Sequence, residues 1–364
     1  MPPFSRSASR LLGSLIVVLC AALRPASAAD NGQEKKLAEL RARAQQGYLQ
    51  DQIELAAAYL LGNGVPADPA QAAHWYLRAA QNGSPEAQNE IAYFYQTGVG
   101  VPVDLERAAH WFQLASAGGM ARAKVNLGVS YLYGTGVRKN PQMARQLFQE
   151  AVDKGSGLGA AYLGIMNWMG MGGPADKVAA EHWFVIGVKL HDAQAEYDLG
   201  LLFASPDSKR HDLHKAVELL RSSAEKGYVA AKHALGQLIV NHHELAQSQD
   251  EASRELRQAS EAGNWKASLL LGVMARDGNM TDADARQAYY FFSLGALQGG
   301  PDAERLVRRD LDALKHRLPP DQHSAAADEA KAWFAQHRTA LLYVIKDSDK
   351  EKYFPLLASA EPRQ

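Results

Sequence analysis

Glycine returns at a fixed interval along most of this chain, and that period constrains the fold more than any other feature of the sequence. Gly47, Gly83, Gly119, Gly155, Gly227, Gly263 and Gly299 are separated by multiples of 36, and His191 stands in the one slot left over. Counting offsets from each marker gives seven 36-residue units between Gly47 and Gln298, with no insertion. At offset 25 stand Ala72, Ala108, Ala144, Ala180, Ala216, Ala252 and Ala288, without exception. At offset 8 the residue is always aliphatic (Leu55, Ile91, Leu127, Leu163, Leu199, Leu235, Leu271), and the next is always Ala or Gly. A period of this size marks a stacked repeat array, because no single unit can bury its apolar face alone.

Each unit reads as two helices. The first carries small or apolar residues at offsets 4, 8, 9 and 12, such as Ala87, Ile91, Ala92 and Tyr95, which share one face at 3.6 residues per turn. Paired glycines close it: Gly62/Gly64, Gly98/Gly100, Gly134/Gly136 and Gly170/Gly172. Glycine there supplies the left-handed conformation of a helix C-terminus. Offset 21 then holds Asp68, Asp104, Asn140, Asp176, Asp212, Ser248 and Asp284, all residue types whose side-chain oxygen accepts the unpaired N–H groups of a following helix. Ser248 with Glu251 also matches a capping box. The second helix places its alanine beside a large pair, as in Trp75-Tyr76, Trp111-Phe112, Trp183-Phe184 and Phe291-Phe292. Small residues let helix axes approach and the aromatics fill the remaining space.

The string from Ala87 to Gly119, AQNEIAYFYQTGVGVPVDLERAAHWFQLASAGG, resembles a Sel1-like repeat, a relative of the tetratricopeptide repeat. The neighbouring units match nearly as well. The resemblance implies an all-α, right-handed α-solenoid of seven 36-residue helix-turn-helix repeats with C-terminal capping helices. It also implies an adaptor for protein–protein contacts, and bacterial members of the family are often exported. One branch of the family is cysteine-rich and linked to β-lactam binding; those cysteines are missing here, so that activity is not carried over. Repeats five and six depart from the pattern. Ser205-Pro206-Asp207-Ser208 and Asn241-His242-His243-Glu244 replace the glycine loop, and Glu255 stands where repeat six should carry its large aromatic. A softer joint or a bend is expected there.

The expected layout is a signal peptide over 1–28, a helical lead-in over 29–46, the repeats over 47–298, capping helices over 299–340 and a flexible tail over 341–364. Arg6 and Arg10 precede an apolar run from Leu11 to Leu23, and Ala26-Ser27-Ala28 reads as a cleavage site. A continuous apolar core suits secretion better than a mitochondrial transit peptide, so a periplasmic or secreted protein is expected. Cys20, the one cysteine, lies inside this segment behind Leu19 rather than the small residue a lipoprotein signal wants. The mature chain therefore has no thiol for a disulfide, a zinc-thiolate site or a nucleophile. No later stretch reaches the apolar length of a membrane helix. With 36 basic and 40 acidic residues after Ala28, its charge of −4 offers no electrostatic footprint for nucleic acid.

Candidate chemistry is sparse. His74, His110 and His182 share an offset, so stacking separates them by roughly 10 Å, too far for one metal ion. His211-Asp212-Leu213-His214 and His242-His243-Glu244 lack a full ligand set on a defined face. No nucleophile elbow, HExxH pair or phosphate loop is present. No catalytic residue, metal or cofactor is therefore expected, and the chain reads as a non-enzyme. What remains is surface. Offsets 3, 7 and 10 of the first helices are expected to line the inner curve with Gln50, Glu54, Glu86, Glu90, Tyr93, Arg122, Asn126, Tyr162, Gln194 and Asp198. A polar stripe with interspersed tyrosines suits a protein partner. The expectation is a scaffold or regulator in the bacterial cell envelope; the alternative is a binder of envelope polymers, peptidoglycan or exported polysaccharide.

Overall fold

The computed structural model describes residues 30–348, apart from 207, 209, 249 and 281–283, with side chains described between 35 and 337. The expected signal peptide lies outside the described residues. Among them there is no strand. Helix α1 spans Asp30–Gln46, and the repeats follow as helix pairs: α2 (Leu49–Leu61) with α3 (Pro69–Gln81), α4 (Pro85–Thr97) with α5 (Leu105–Ala117), α6 (Ala121–Tyr133) with α7 (Pro141–Asp153), and α8 (Gly157–Met169) with α9 (Lys177–Lys189). Then come α10 (Ala193–Ala204), α11 (Leu213–Glu225), α12 (Val229–Asn241), α13 (Glu251–Glu261), α14 (Trp265–Asp277), α15 (Ala285–Arg317) and α16 (Pro320–Ser348). The chain is an all-α solenoid of consecutive helix pairs. It divides at Ala195/Glu196 into two compact bodies.

In the first body, each first helix packs on the second helix of its own repeat and on the helix before it, which is α1 for α2 and otherwise the second helix of the preceding repeat. Four column alanines, Ala72, Ala108, Ala144 and Ala180, are at most 3% exposed, and Leu55, Ile91, Leu127 and Leu163 are buried beside them. Burying one such aliphatic side chain stabilises the fold by about 1.5–3 kcal/mol. The small residue at offset 9 has a specific partner at offset 29. A Cβ on Gly128 would lie 2.6 Å from Phe148 Cε1, and one on Gly164 would lie 2.3 Å from Phe184 Cε1. Glycine lets the ring lie directly on the backbone of the first helix.

The two glycines of each loop do different jobs. Gly62, Gly98, Gly134 and Gly170 are left-handed C-caps, as expected. The second glycine is a point of contact between repeats. A Cβ on Gly100 would fall 2.0 Å from the Pro69 carbonyl oxygen, and one on Gly136 would fall 1.8 Å from that of Leu105. Gly64, in the first repeat, meets nothing within 4 Å. His191, in the slot that lacks a marker glycine, adopts the same left-handed backbone with φ 59°.

In the second body, Ala216, Ala252 and Ala288 are again buried, and Gly200, Gly236 and Gly272 face Leu220, Leu256 and Phe292. The core slot of repeat six is therefore offset 29, filled by the fully buried Leu256. Glu255 stands one position earlier, at offset 28, where Trp75, Leu147 and Phe291 are buried in other repeats; it is half-buried, 3.8 Å from Lys232. The cap at Ser248 is also corrected. Six of the seven offset-21 residues accept backbone N–H groups at the starts of second helices. Ser248 does not, because α13 starts later, at Glu251 after Asp250. Ser248 Oγ instead donates to Asp250 Oδ1, and Glu251 accepts from Gln247 N at 2.5 Å.

The array is closed at its end by α15 and α16. The left-handed break falls at Gly300 (φ 66°), one residue past the expected marker, because Gly299 packs against Trp265. Beyond it, α15 continues to Arg317 and α16 folds back. Ala326 and Ala330 are fully buried against the last repeat, and Arg286 Nη2 pairs with Glu329 at 2.6 Å. Ala327, Trp333 and Phe334 on the same helix are only half-buried. Helix α16 runs eight residues into the expected tail, to Ser348, and the rest of the tail lies outside the described residues.

Candidate functional site

The stripe expected along offsets 3, 7 and 10 is not uniformly exposed. In the first body, Gln50 and Glu54 are exposed on α2, where the Gln50 amide donates to Glu54 Oε1 at 3.3 Å. Tyr93 on α4 is 40% exposed and Arg122 on α6 is exposed. Glu86, Asn126 and Gln194 are half-buried. Glu90 and Tyr162 are buried, at 6% and 5% exposure, and Tyr162 stacks on Phe148 with ring centres 5.0 Å apart. The cause is geometric. A first helix is packed from both sides, so its buried arc widens from offsets 4 and 8 to include 6 and 7: Asn89, Val125 and Ala161 are buried too. In the second body, Asp198 is half-buried beside the buried Tyr197, whose ring lies 5.2 Å from that of Tyr228.

Four of the expected residues, Glu86, Glu90, Arg122 and Asn126, gather around one that sequence reading missed, Asn89. Asn126 Nδ2 donates across the repeat junction to Asn89 Oδ1 at 2.9 Å, and Asn89 Nδ2 donates to Glu90 Oε1 at 3.1 Å. Burial pushes the Glu90 carboxyl above the usual range, and the nearby Glu86 adds to this. The Asn89 hydrogen bond and the Arg122 charge act in the opposite direction. Beneath the cluster, the Tyr76 phenol is raised by burial first and then by the charges of Glu90 and Glu86. The available signal for Asn89 was its spacing of 37 residues from Asn126, two amides on consecutive first helices.

The histidines stand apart. His74, His110 and His182 are exposed, each with its ring edge on the tryptophan that follows it, 5.3–5.9 Å between centres. Asp212 caps α11, and His242 Nδ1 lies 3.4 Å from Glu244. Among the described residues, no group of three or more His, Cys, Asp or Glu is placed to hold a metal ion, and no helix is long and apolar enough to cross a membrane. The geometry supplies hydrogen-bonding groups, charges and an aromatic ring along stacked helices.

Comparison with known proteins follows the same period, with boundaries two or three residues after the marker positions. The Sel1 repeat family matches residues 50–84, 85–120, 121–156, 158–189, 193–228 and 265–300, more than half of the chain. The longest stretch left unmatched between them, 229–264, covers nearly all of repeat six, which nonetheless folds as the helix pair α12 and α13. Chitin synthase regulatory factor 4 of Schizosaccharomyces pombe is 33% identical over 150 residues, which covers 36% of this chain and 23% of that protein. The chain thus spans less than a quarter of that relative. A Sel1 repeat protein from Oxalobacter formigenes superposes with a TM-score of 0.53 at 27% identity, over 63% of this chain and 99% of that one. A protective antigen present in uropathogenic Escherichia coli strains, with an SLR fold, is 22% identical over 86% of this chain and 74% of that chain, with a TM-score of 0.44. The chain belongs to the Sel1 repeat family, whose members generally mediate protein–protein interaction.

Proposed function

We propose that this chain is an exported, non-enzymatic scaffold that holds a protein partner in the bacterial cell envelope, along the first-helix face of its first body. One observation carries the reading. Consecutive first helices turn Gln50, Glu54, Tyr93 and Arg122 to solvent, while the alanine columns beside them are spent on the core. A row of polar groups with a half-exposed tyrosine gives contact area at little rotamer cost and fixes the register of an extended partner. Export rests on the basic start, the apolar run and Ala26-Ser27-Ala28. A regulatory role is part of the proposal, and the name borne by the Schizosaccharomyces pombe relative accords with it.

A photo-crosslinking residue at Tyr93 or Arg122, compared with one at His74 or His110 on the second helices, tests the face in living cells. The expected result is a discrete crosslinked protein from the first pair of positions and none from the second. Crosslinks confined to the histidine positions would reject the face. Retention of the purified protein on peptidoglycan sacculi or polysaccharide resin, with no crosslinked protein, would replace the partner with an envelope polymer. A periplasmic form whose N-terminus is Ala29 is expected; an uncleaved cytoplasmic chain would reject export.

A further inference from the structure

Four carboxylates are buried among the described residues: Asp51, Glu90, Glu196 and Glu251. Three have a cation in contact. Asp51 meets Arg43 at 3.0 Å, Glu196 meets Lys226 at 2.6 Å, and Glu251 meets Arg221 at 2.8 Å. Glu90 has only the Asn89 amide, on one of its two oxygens, and the Arg122 charge reaches it without contact. A buried carboxylate without a counter-charge is the costly case, and chains either pair it or keep it protonated. Glu90 also sits on the proposed interaction face, one turn from the half-exposed Tyr93, with Glu86 half-buried on the turn before and Glu54 exposed one repeat earlier. The α2–α4 part of the face is therefore acidic and aromatic, and it is laid out around a carboxylate that lacks its cation.

Resting on that reading of the face, we infer that Glu90 is completed by the partner: a lysine or arginine side chain of an extended polypeptide sits against Glu86 and Glu90, with Tyr93 beside it. Asn126 and Asn89 hold the Glu90 oxygen in place before the cation arrives, which lowers the ordering cost of binding. Tyr93 offers a ring to the same cation. Arg122, on the following repeat, repels it and so sets which way along the face the charge lies.

The inference carries a proton signature. The groups that face Glu90 are Tyr76 from α3, Glu86 and Asn89 from α4, and Arg122 and Asn126 from α6. Helix α5 also packs on α4, but its Arg107 is engaged with Asp104 and lies over the Tyr95 ring. An arriving cation favours the ionised carboxylate, so binding expels whatever proton Glu90 holds and affinity rises with pH through its raised titration.

The test is calorimetry on the mature chain with alternating lysine–alanine, arginine–alanine and glutamine–alanine peptides. The lysine or arginine peptide should bind and the glutamine peptide should not. Affinity should rise with pH, and the heat should change with buffer ionisation enthalpy in the sense of proton release. Glu90→Gln keeps an acceptor for Asn89, and it should weaken binding about tenfold or more and abolish the proton release. Glu106→Gln, an exposed acid on a second helix, should change neither. Equal losses from Glu90→Gln and Glu106→Gln, or no preference for cationic peptides, would overturn the inference. Crosslinking at Tyr93 that traps a partner while these peptides fail would retain the face and reject the cation.

Discussion

Gly164 and Phe184 meet so closely that no side chain fits between them: a Cβ on Gly164 would lie 2.3 Å from Phe184 Cε1. The two residues belong to the first and second helices of one repeat, and their contact sets how near α8 and α9 lie. Gly164→Ala is expected to force the ring off its place and cost about 1–3 kcal/mol, read as a lower urea midpoint. Gly173→Ala, where nothing lies within 4 Å and φ is not left-handed, should leave the midpoint unchanged. Equal effects would mean that the close contact does not hold the pair together.

Gly136 and Gly64 share φ +72°, yet only Gly136 touches the preceding repeat, at the Leu105 carbonyl. Both alanine variants incur the left-handed penalty of about 1–2 kcal/mol. Only Gly136→Ala adds a clash between repeats. Its unfolding midpoint should fall clearly below that of Gly64→Ala, and matching midpoints would remove the loop from the stacking contact.

Asp176 Oδ1 accepts from Val178 N at 3.0 Å and Ala179 N at 2.9 Å. Asp176→Ala should cost about 0.5–2 kcal/mol, whereas Ser248→Ala, at the same offset but outside its helix, should stay within about 0.5 kcal/mol of the parent. Chemical denaturation of the two variants decides it. A larger loss at Ser248 would restore the cap that sequence spacing implied.

The fold was legible because packing permits few residue types at its columns. Alanine at offset 25, aliphatics at offset 8 and glycine or alanine at offset 9 leave a periodic trace, and all are buried where expected. Less legible was which member of each aromatic pair faces inward. Offset 29 is buried throughout, whereas offset 28 is buried at Trp75, Leu147 and Phe291 but half-buried at Trp111, Trp183 and Glu255, and residue type alone does not mark the difference. The candidate site was least legible. Burial of Asn89 and Glu90 comes from the helices packed on both sides of α4, and polar residue types carry no mark of it. Tyr162 has the same cause, since tyrosine suits both a contact surface and a core.

His233 on α12 gives the second body a pH dependence of its own. Burial, with the Lys266 charge adding to it, lowers its imidazole from 6.5 to about 4. Between those values the unfolded chain binds a proton that the folded chain does not, so stability falls as pH drops from 6.5 towards 4, by at most about 1.4 kcal/mol per pH unit. His233→Gln should flatten that part of the stability–pH curve. A curve as steep as the parent's would assign the acid loss to other groups.

Each 36-residue unit is one layer of the stack and contacts only its neighbours. Excising residues 121–156, one whole unit, brings Gly157 next to Met120 and leaves every remaining column in register. The shortened chain should keep its helical circular dichroism per residue and unfold cooperatively, while removal of half a unit should not. Loss of folding on excision of the whole unit, or equal tolerance of the half-unit deletion, would contradict the repeat architecture.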